Sequence, residues 1–255
     1  MENSDKILDA TEEIKKHIRT LKYPSGDIRY DFFTLIYDVL NNYYYGCVVY
    51  ELAQLINDHK IAFSEDIYKH KVHIDRITEI AKIPMLERSY KASFNRSVII
   101  DSWSAFEFCV TVTLEAVSGK QDLSRVPISK KINSIFLEIS NSYQRSIKDD
   151  KLFLHFYRTF RNSMHSNFIY NGDNFRYEFE GITFIFRNHQ AVVWNDDPRM
   201  LPDLYVKLID QLLRIFEAIS EALNYDKLIP YPETETDWTP YKGEIDTSKL
   251  SAHFS

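Results

Sequence analysis

Between Ser93 and Ser118 the chain carries a segment that needs neighbours on several sides. At helical pitch Ser97, Asp101, Ser104, Glu107, Thr111 and Glu115 form a narrow polar stripe. Ile99, Trp103, Phe106, Val110, Leu114 and Val117 fall elsewhere around the surface. A helix apolar over most of its circumference belongs at the centre of a bundle. Asp101, Glu107 and Glu115 interrupt the run from Val98 to Val117, which disfavours a membrane span. Gly119 stops the helix.

The flanking segments supply candidate partners for such a helix. Residues 5–22 form a charged helix that ends before the turn Pro24-Ser25-Gly26. From Tyr30 to about Asp58, Phe33, Ile36, Leu40, Tyr43, Cys47, Leu52 and Ile56 recur at helical spacing. Ser64-Glu65-Asp66 caps a third helix that runs to Lys82, before Ile83-Pro84. A further helix is expected over 128–147, and another from about Asp150 to Asn167. The period then changes: Phe175, Tyr177 and Phe179 alternate with Arg176 and Glu178, Gly181 turns the chain into Ile182 to Phe186, and Asn188-His189 turns it into Ala191 to Trp194. Leu204, Leu208, Leu212, Ile215, Ile219 and Leu223 define a last helix behind Pro202. The stretch from about Pro230 is rich in Pro, Thr and acids and reads as an extended arm or disorder.

The reading is therefore a mainly α protein, an up-and-down helical bundle with a small antiparallel β-meander inserted. With 17 Tyr and 17 Phe against 6 Gly, the composition favours long helices over a strand-rich sandwich. The organisation expected is an N-terminal helical extension over 1–93, a helical domain over 94–224 with its β insertion at about 175–194, and a tail over 225–255. A net charge of −6 excludes a global field drawing the protein to nucleic acid, so any such contact must come from a local basic patch. Cys47 and Cys109 sit in apolar patterns and read as buried thiols in a reducing compartment. The first residues alternate charge and lack the apolar segment of a secretory signal. A cytoplasmic protein is expected.

The chemistry concentrates in the helix before the meander. Arg158, Arg161, Asn162 and His165 fall at i, i+3, i+4 and i+7, so two guanidiniums, a carboxamide and an imidazole share one stripe. Phe153, Phe156, Tyr157, Phe160 and Met164 take the opposite side, which can enter a core. Arginine offers paired planar donors that match phosphate oxygens, and histidine, with an unperturbed pKa of about 6.5, gives or takes a proton near neutrality. Phosphate clamping with proton transfer is the chemistry of a ribonuclease. Upstream, Glu107 and Asp101 offer carboxylates that a motif arginine can pair with.

Arg161, Asn162 and His165, with the flanking Arg158 and the upstream Trp103-Ser104-Ala105-Phe106-Glu107, resemble the HEPN superfamily of helical domains. The likeness spans about residues 94–224. Three residues separate Arg161 from His165, where the family shows four to six, and helical pitch still sets the two side by side. The resemblance implies a metal-independent endoribonuclease of toxin or antiviral type, with no cofactor, acting on RNA as a homodimer whose two copies of His165 share one site. In that scheme His165 moves protons, Arg158 and Arg161 stabilise the phosphate, Asn162 orients its neighbours, and a cognate antitoxin or partner protein is expected.

Other readings stay open. The same face suits a non-catalytic RNA- or protein-binding module. A scaffold without a ligand is the reading if acids such as Asp101 or Glu107 consume Arg158 and Arg161. His70 and His73 can chelate at i and i+3, but lack companion ligands. Tyr43, Tyr44 and Tyr45 suit a stacking platform or, more simply, a core. No Walker-type loop, Gly-x-Ser-x-Gly elbow or Cys-x-x-Cys pair is present.

Overall fold

The apolar segment becomes the hub of the helices. The computed structural model describes residues 2–57, 84–120, 122–195 and 201–232. Its helices are α1 (Glu2–Ile18), α2 (Ile28–Asn57), α3 (Pro84–Ser118), α4 (Ile128–Glu138), α5 (Ile147–His165) and α6 (Leu201–Ala222). α3 packs against α2, α4, α5 and α6, and Val98, Ile99, Trp103, Phe106, Cys109 and Val110 are all buried. By length and composition Ser93–Ser118 is apolar enough to cross a membrane, but 61% of its most apolar window is buried inside this fold. Its apolar surface is therefore largely covered by its own neighbours.

Local chemistry sets the helix ends. Gly119, at φ +66, takes the left-handed conformation that closes α3. Ser146 caps α5, its hydroxyl accepting from the Asp149 N–H at 3.3 Å, and Asp149 and Asp150 place negative charge in the first turn. The sequence predicts one helix over 128–147, whereas α4 ends at Glu138. The reason is the buried carboxylate of Asp150. It accepts from the Tyr143 hydroxyl at 2.7 Å and from two Arg145 nitrogens at 2.9 Å, which draws residues 139–146 into a turn. The expected helix over 64–82, with His70 and His73, lies outside the described residues, as does the chain beyond residue 232.

A small antiparallel sheet covers one side of α5. β2 (Phe175–Phe179), β3 (Ile182–Phe186) and β5 (Val193–Trp194) pair in the order β2-β3-β5. β1 (Ile169–Tyr170) pairs separately with β4 (Gln190–Ala191). The alternation in β2 turns Phe175, Tyr177 and Phe179 towards the helix. Phe156 of α5 stacks on Tyr177 at 4.4 Å and meets Phe184 at 4.8 Å, and Phe153 meets Phe179 at 5.6 Å.

One apolar core runs through the described helices. Phe32 of α2 lies 4.1 Å from Phe216 of α6 and 6.2 Å from Phe106 of α3. Ile7 of α1 is fully buried in the same cluster. Residue 93, where the sequence places a boundary, falls inside the continuous helix α3. Beyond α6 the chain returns to the start of α2: the Ile28 N–H donates to the Ile229 carbonyl at 2.8 Å, and Ile229 is buried.

Candidate functional site on helix α5

α5 runs antiparallel to α3. Ser102 and Tyr157 share a 2.6 Å hydroxyl contact, whereas Arg96, further back along α3, lies 5.8 Å over the ring of Phe168, beyond the end of α5. Tyr157 also stacks on Trp103 at 5.7 Å. With the sheet covering Phe153, Phe156 and Phe160, and α3 covering Tyr157, the remaining face of α5 carries the polar side chains. Arg158 and Arg161 are half-buried, and Asn162 and His165 are exposed.

The chain beyond α5 builds a wall beside this face. Asn167 and Phe168 take φ of 52 and 65, left-handed values that reverse the backbone. The reversal lets Ile169 and Tyr170 pair with Ala191 and Gln190. Tyr170, Asn171 and Ile169 thereby close a cleft of about 210 Å³ with His155, Arg158 and Asn162. The Tyr170 hydroxyl is tied to the Asp173 carbonyl at 2.8 Å. On the other side of His155 and Arg158, a second hollow of about 170 Å³ opens towards α4, lined by Ser129, Asn133 and Lys151. The two hollows share His155 and Arg158, which stand between them, and together they are the trough of this face.

His155 is the site residue the motif overlooks. An Arg158 Nη2 lies 3.3 Å from its Nδ1. Arginine only donates, so Nδ1 accepts and the ring proton sits on Nε2. Phe175 covers the ring edge-on at 4.9 Å. Partial desolvation of the ring of this otherwise exposed residue, with the Arg158 cation beside it, holds the imidazole pKa below its ordinary value. The signal was present in the sequence: Lys151, His155, Arg158, Asn162 and Ser166 repeat at i+4, i+7, i+11 and i+15, which is one stripe.

The motif residues divide between that stripe and the next. Arg158 and Asn162 line the cleft, and Arg161 and His165 lie beside it. The Arg161 Nη1 donates to the Asn162 Oδ1 at 3.1 Å, while its buried Nε has no hydrogen-bond partner. Among the described residues, no ion pair joins Arg158 or Arg161 to an acid. The pairing expected of Glu107 and Asp101 therefore does not form. Antiparallel packing explains Glu107: Ser102 is level with Tyr157, so Glu107 lies towards the N-terminal end of α5, away from both arginines. Asp101 is exposed, and partial desolvation alone raises its pKa. Searches of protein-family models, of curated proteins and of solved structures find no match to this chain.

Proposed function

We propose that the chain is an HEPN-like, metal-independent endoribonuclease that works as a homodimer on the polar face of α5. The observation that supports it is the uncommitted state of the cations there. Neither Arg158 nor Arg161 has an acidic partner among the described residues, and the Arg161 Nε is a buried donor without an acceptor. A buried unpaired donor costs about 1–3 kcal/mol. The arginines are thus free to act on a ligand.

In this reading the ribose 2′-hydroxyl attacks the adjacent phosphorus, and the bond from phosphorus to the 5′ oxygen breaks. One imidazole takes the 2′-hydroxyl proton and a second, protonated, gives its proton to the departing 5′ oxygen, leaving a 2′,3′-cyclic phosphate and a 5′-hydroxyl. His155 and His165 of one chain cannot share this work, because ten residues of helix hold them about 15 Å apart along the axis. The second imidazole is His165 of a second copy. Arg161, one helical turn from His165, stabilises the pentavalent phosphate, Asn162 holds the Arg161 guanidinium, and Arg158 takes a neighbouring oxygen. A non-catalytic RNA-binding module is the second reading, favoured by the position of His165 outside the cleft.

The test is incubation with labelled mixed-sequence RNA in EDTA, beside the His165→Ala variant. Products with cyclic phosphate ends that vanish in the variant are expected. RNA left intact by both proteins leaves the binding module as the reading.

A further inference from the structure

The trough extends well beyond the motif residues, and its composition departs from that of the chain. The protein carries a net charge of −6, yet no carboxylate lines either hollow, while Lys151, His155 and Arg158 all do. The neutral lining is mostly donors, among them Ser129 and Asn133 of α4 and Asn162 of α5. A small-molecule site is a single, mostly apolar cavity. These hollows are open and lined mostly by polar residues, with Ile132 and Leu154 beside α4, and the stripe from Lys151 to Ser166 follows α5 for about 22 Å at ~1.5 Å per residue. One phosphate does not fill them.

We infer that the trough from Lys151 across His155 and Arg158 to Tyr170 is a track for one strand of RNA, with Lys151 and Arg158 each holding a phosphate and His155 donating between them from Nε2. The inference rests on the RNA reading above and adds two contacts to it, at Lys151 and His155. Single strands are followed by cationic grooves with polar side chains along the backbone. α4 bounds the Lys151 end and the turn into β1 bounds the Tyr170 end, and a flexible strand can follow such a surface, whereas a duplex presents rigid grooves of its own. Tyr170 is held by Phe186 edge-on at 5.4 Å and by its hydroxyl bond, so its ring is a fixed marker where the strand leaves.

Two phosphate contacts have a measurable signature. For a single strand the logarithm of the binding constant falls with the logarithm of salt by about 0.7 per phosphate neutralised, so a slope of about −1.4 is expected. The measurement is fluorescence anisotropy of a labelled uridine oligonucleotide on the full-length His165→Ala protein in EDTA, titrated at several salt concentrations. Lys151→Gln is expected to weaken binding and halve the slope to about −0.7. His155→Ala is expected to weaken binding without changing the slope. Lys148→Gln, on the same helix but outside the trough, is expected to leave both unchanged. Far-ultraviolet circular dichroism checks that each variant is folded.

A folded Lys151→Gln protein that binds with unchanged affinity and slope overturns the track, as does an equal effect of Lys148→Gln. Tighter binding to duplex than to single strand overturns it as well. Loss of cleavage and loss of binding are read separately. A protein that binds the strand but never cuts RNA ends the nuclease reading and leaves the track. One that cuts while Lys151 and His155 are dispensable to binding does the reverse.

Discussion

At the residue scale, His155 carries the most information, because desolvation and a neighbour on its own helix both act on its protonation. Burial disfavours the imidazolium, and Arg158 adds like-charge repulsion, so the folded protein holds the proton less tightly than the unfolded chain does. A depressed histidine pKa opposes folding in acid: stability declines as pH falls through the unfolded value of about 6.5 towards the folded value. Proton NMR titration is expected to place His155 below the ordinary histidine range and to move it upward in Arg158→Gln. An unmoved midpoint in that variant shows that burial alone sets the value. That Arg158 and Asn162 share a polar face was legible because a polar stripe at helical pitch is a sequence property. His155 and Lys151 belong to the same stripe. They gain meaning only once α4 and the turn into β1 wall it.

At the scale of elements, the close approach of α2 and α3 is the feature a helical wheel cannot supply. A Cβ built at Gly46 runs into the ring of Phe94, so the absence of a side chain there sets how near the two helices come. Gly46→Ala improves helix propensity by about 1 kcal/mol, whereas overpacking costs about 1–3 kcal/mol. The melting temperature is therefore expected to fall, and Phe94→Ala in the same chain is expected to reverse the sign of the Gly46→Ala effect. A higher melting temperature for the single variant contradicts that packing. A second check lies at the crossing of α3 and α5, where the Tyr157 hydroxyl contacts Ser102 at 2.6 Å in full burial. Tyr157→Phe is expected to lower stability by about 1 kcal/mol in denaturant titration, the worth of one internal hydrogen bond. The meander was legible because alternation at period two is independent of what it packs on. Its role as cover for Phe153, Phe156 and Phe160 was not.

At the scale of the whole molecule, the start of α2 and the segment after α6 are joined by a buried clasp. Asp27 and Arg29 pair at 2.7 Å with their side chains 0% and 3% exposed. Arg29 also donates to the carbonyls of Tyr225 and Lys227, at 2.6 and 2.9 Å, and the Ile229 N–H donates to Asp27 at 3.2 Å. Burial alone would raise the Asp27 pKa, but the Arg29 side chain and the backbone N–H groups of Arg29 and Ile229 outweigh it and hold the carboxyl below the usual range. A depressed carboxyl stabilises the fold above its unfolded pKa, and that contribution disappears as pH falls from about 4 through the folded value. Removing one partner strands the other in the interior, so Arg29→Ala is expected to cost about 3–5 kcal/mol by chemical denaturation. A loss below about 1 kcal/mol, typical of an exposed pair, refutes the clasp. Because Phe32, Phe106 and Phe216 are in mutual contact, the described helices are expected to melt in a single transition by calorimetry.

The sequence by itself determined much of the periodic part of this protein: most of its helical segments, that the apolar helix ending at Ser118 sits among the others, the β2-β3 hairpin, and which face of α5 is polar. Those are properties of residue spacing, and spacing survives any tertiary arrangement. Only the tertiary structure decided what the polar face meets. The antiparallel crossing of α3 and α5 takes Glu107 away from the arginines. Left-handed backbone at Asn167 and Phe168 brings Tyr170 back over α5, and capture of Tyr143 and Arg145 by Asp150 ends α4 early. Each depends on contacts between parts of the chain in different elements or turns, and such contacts leave no period in the sequence to read.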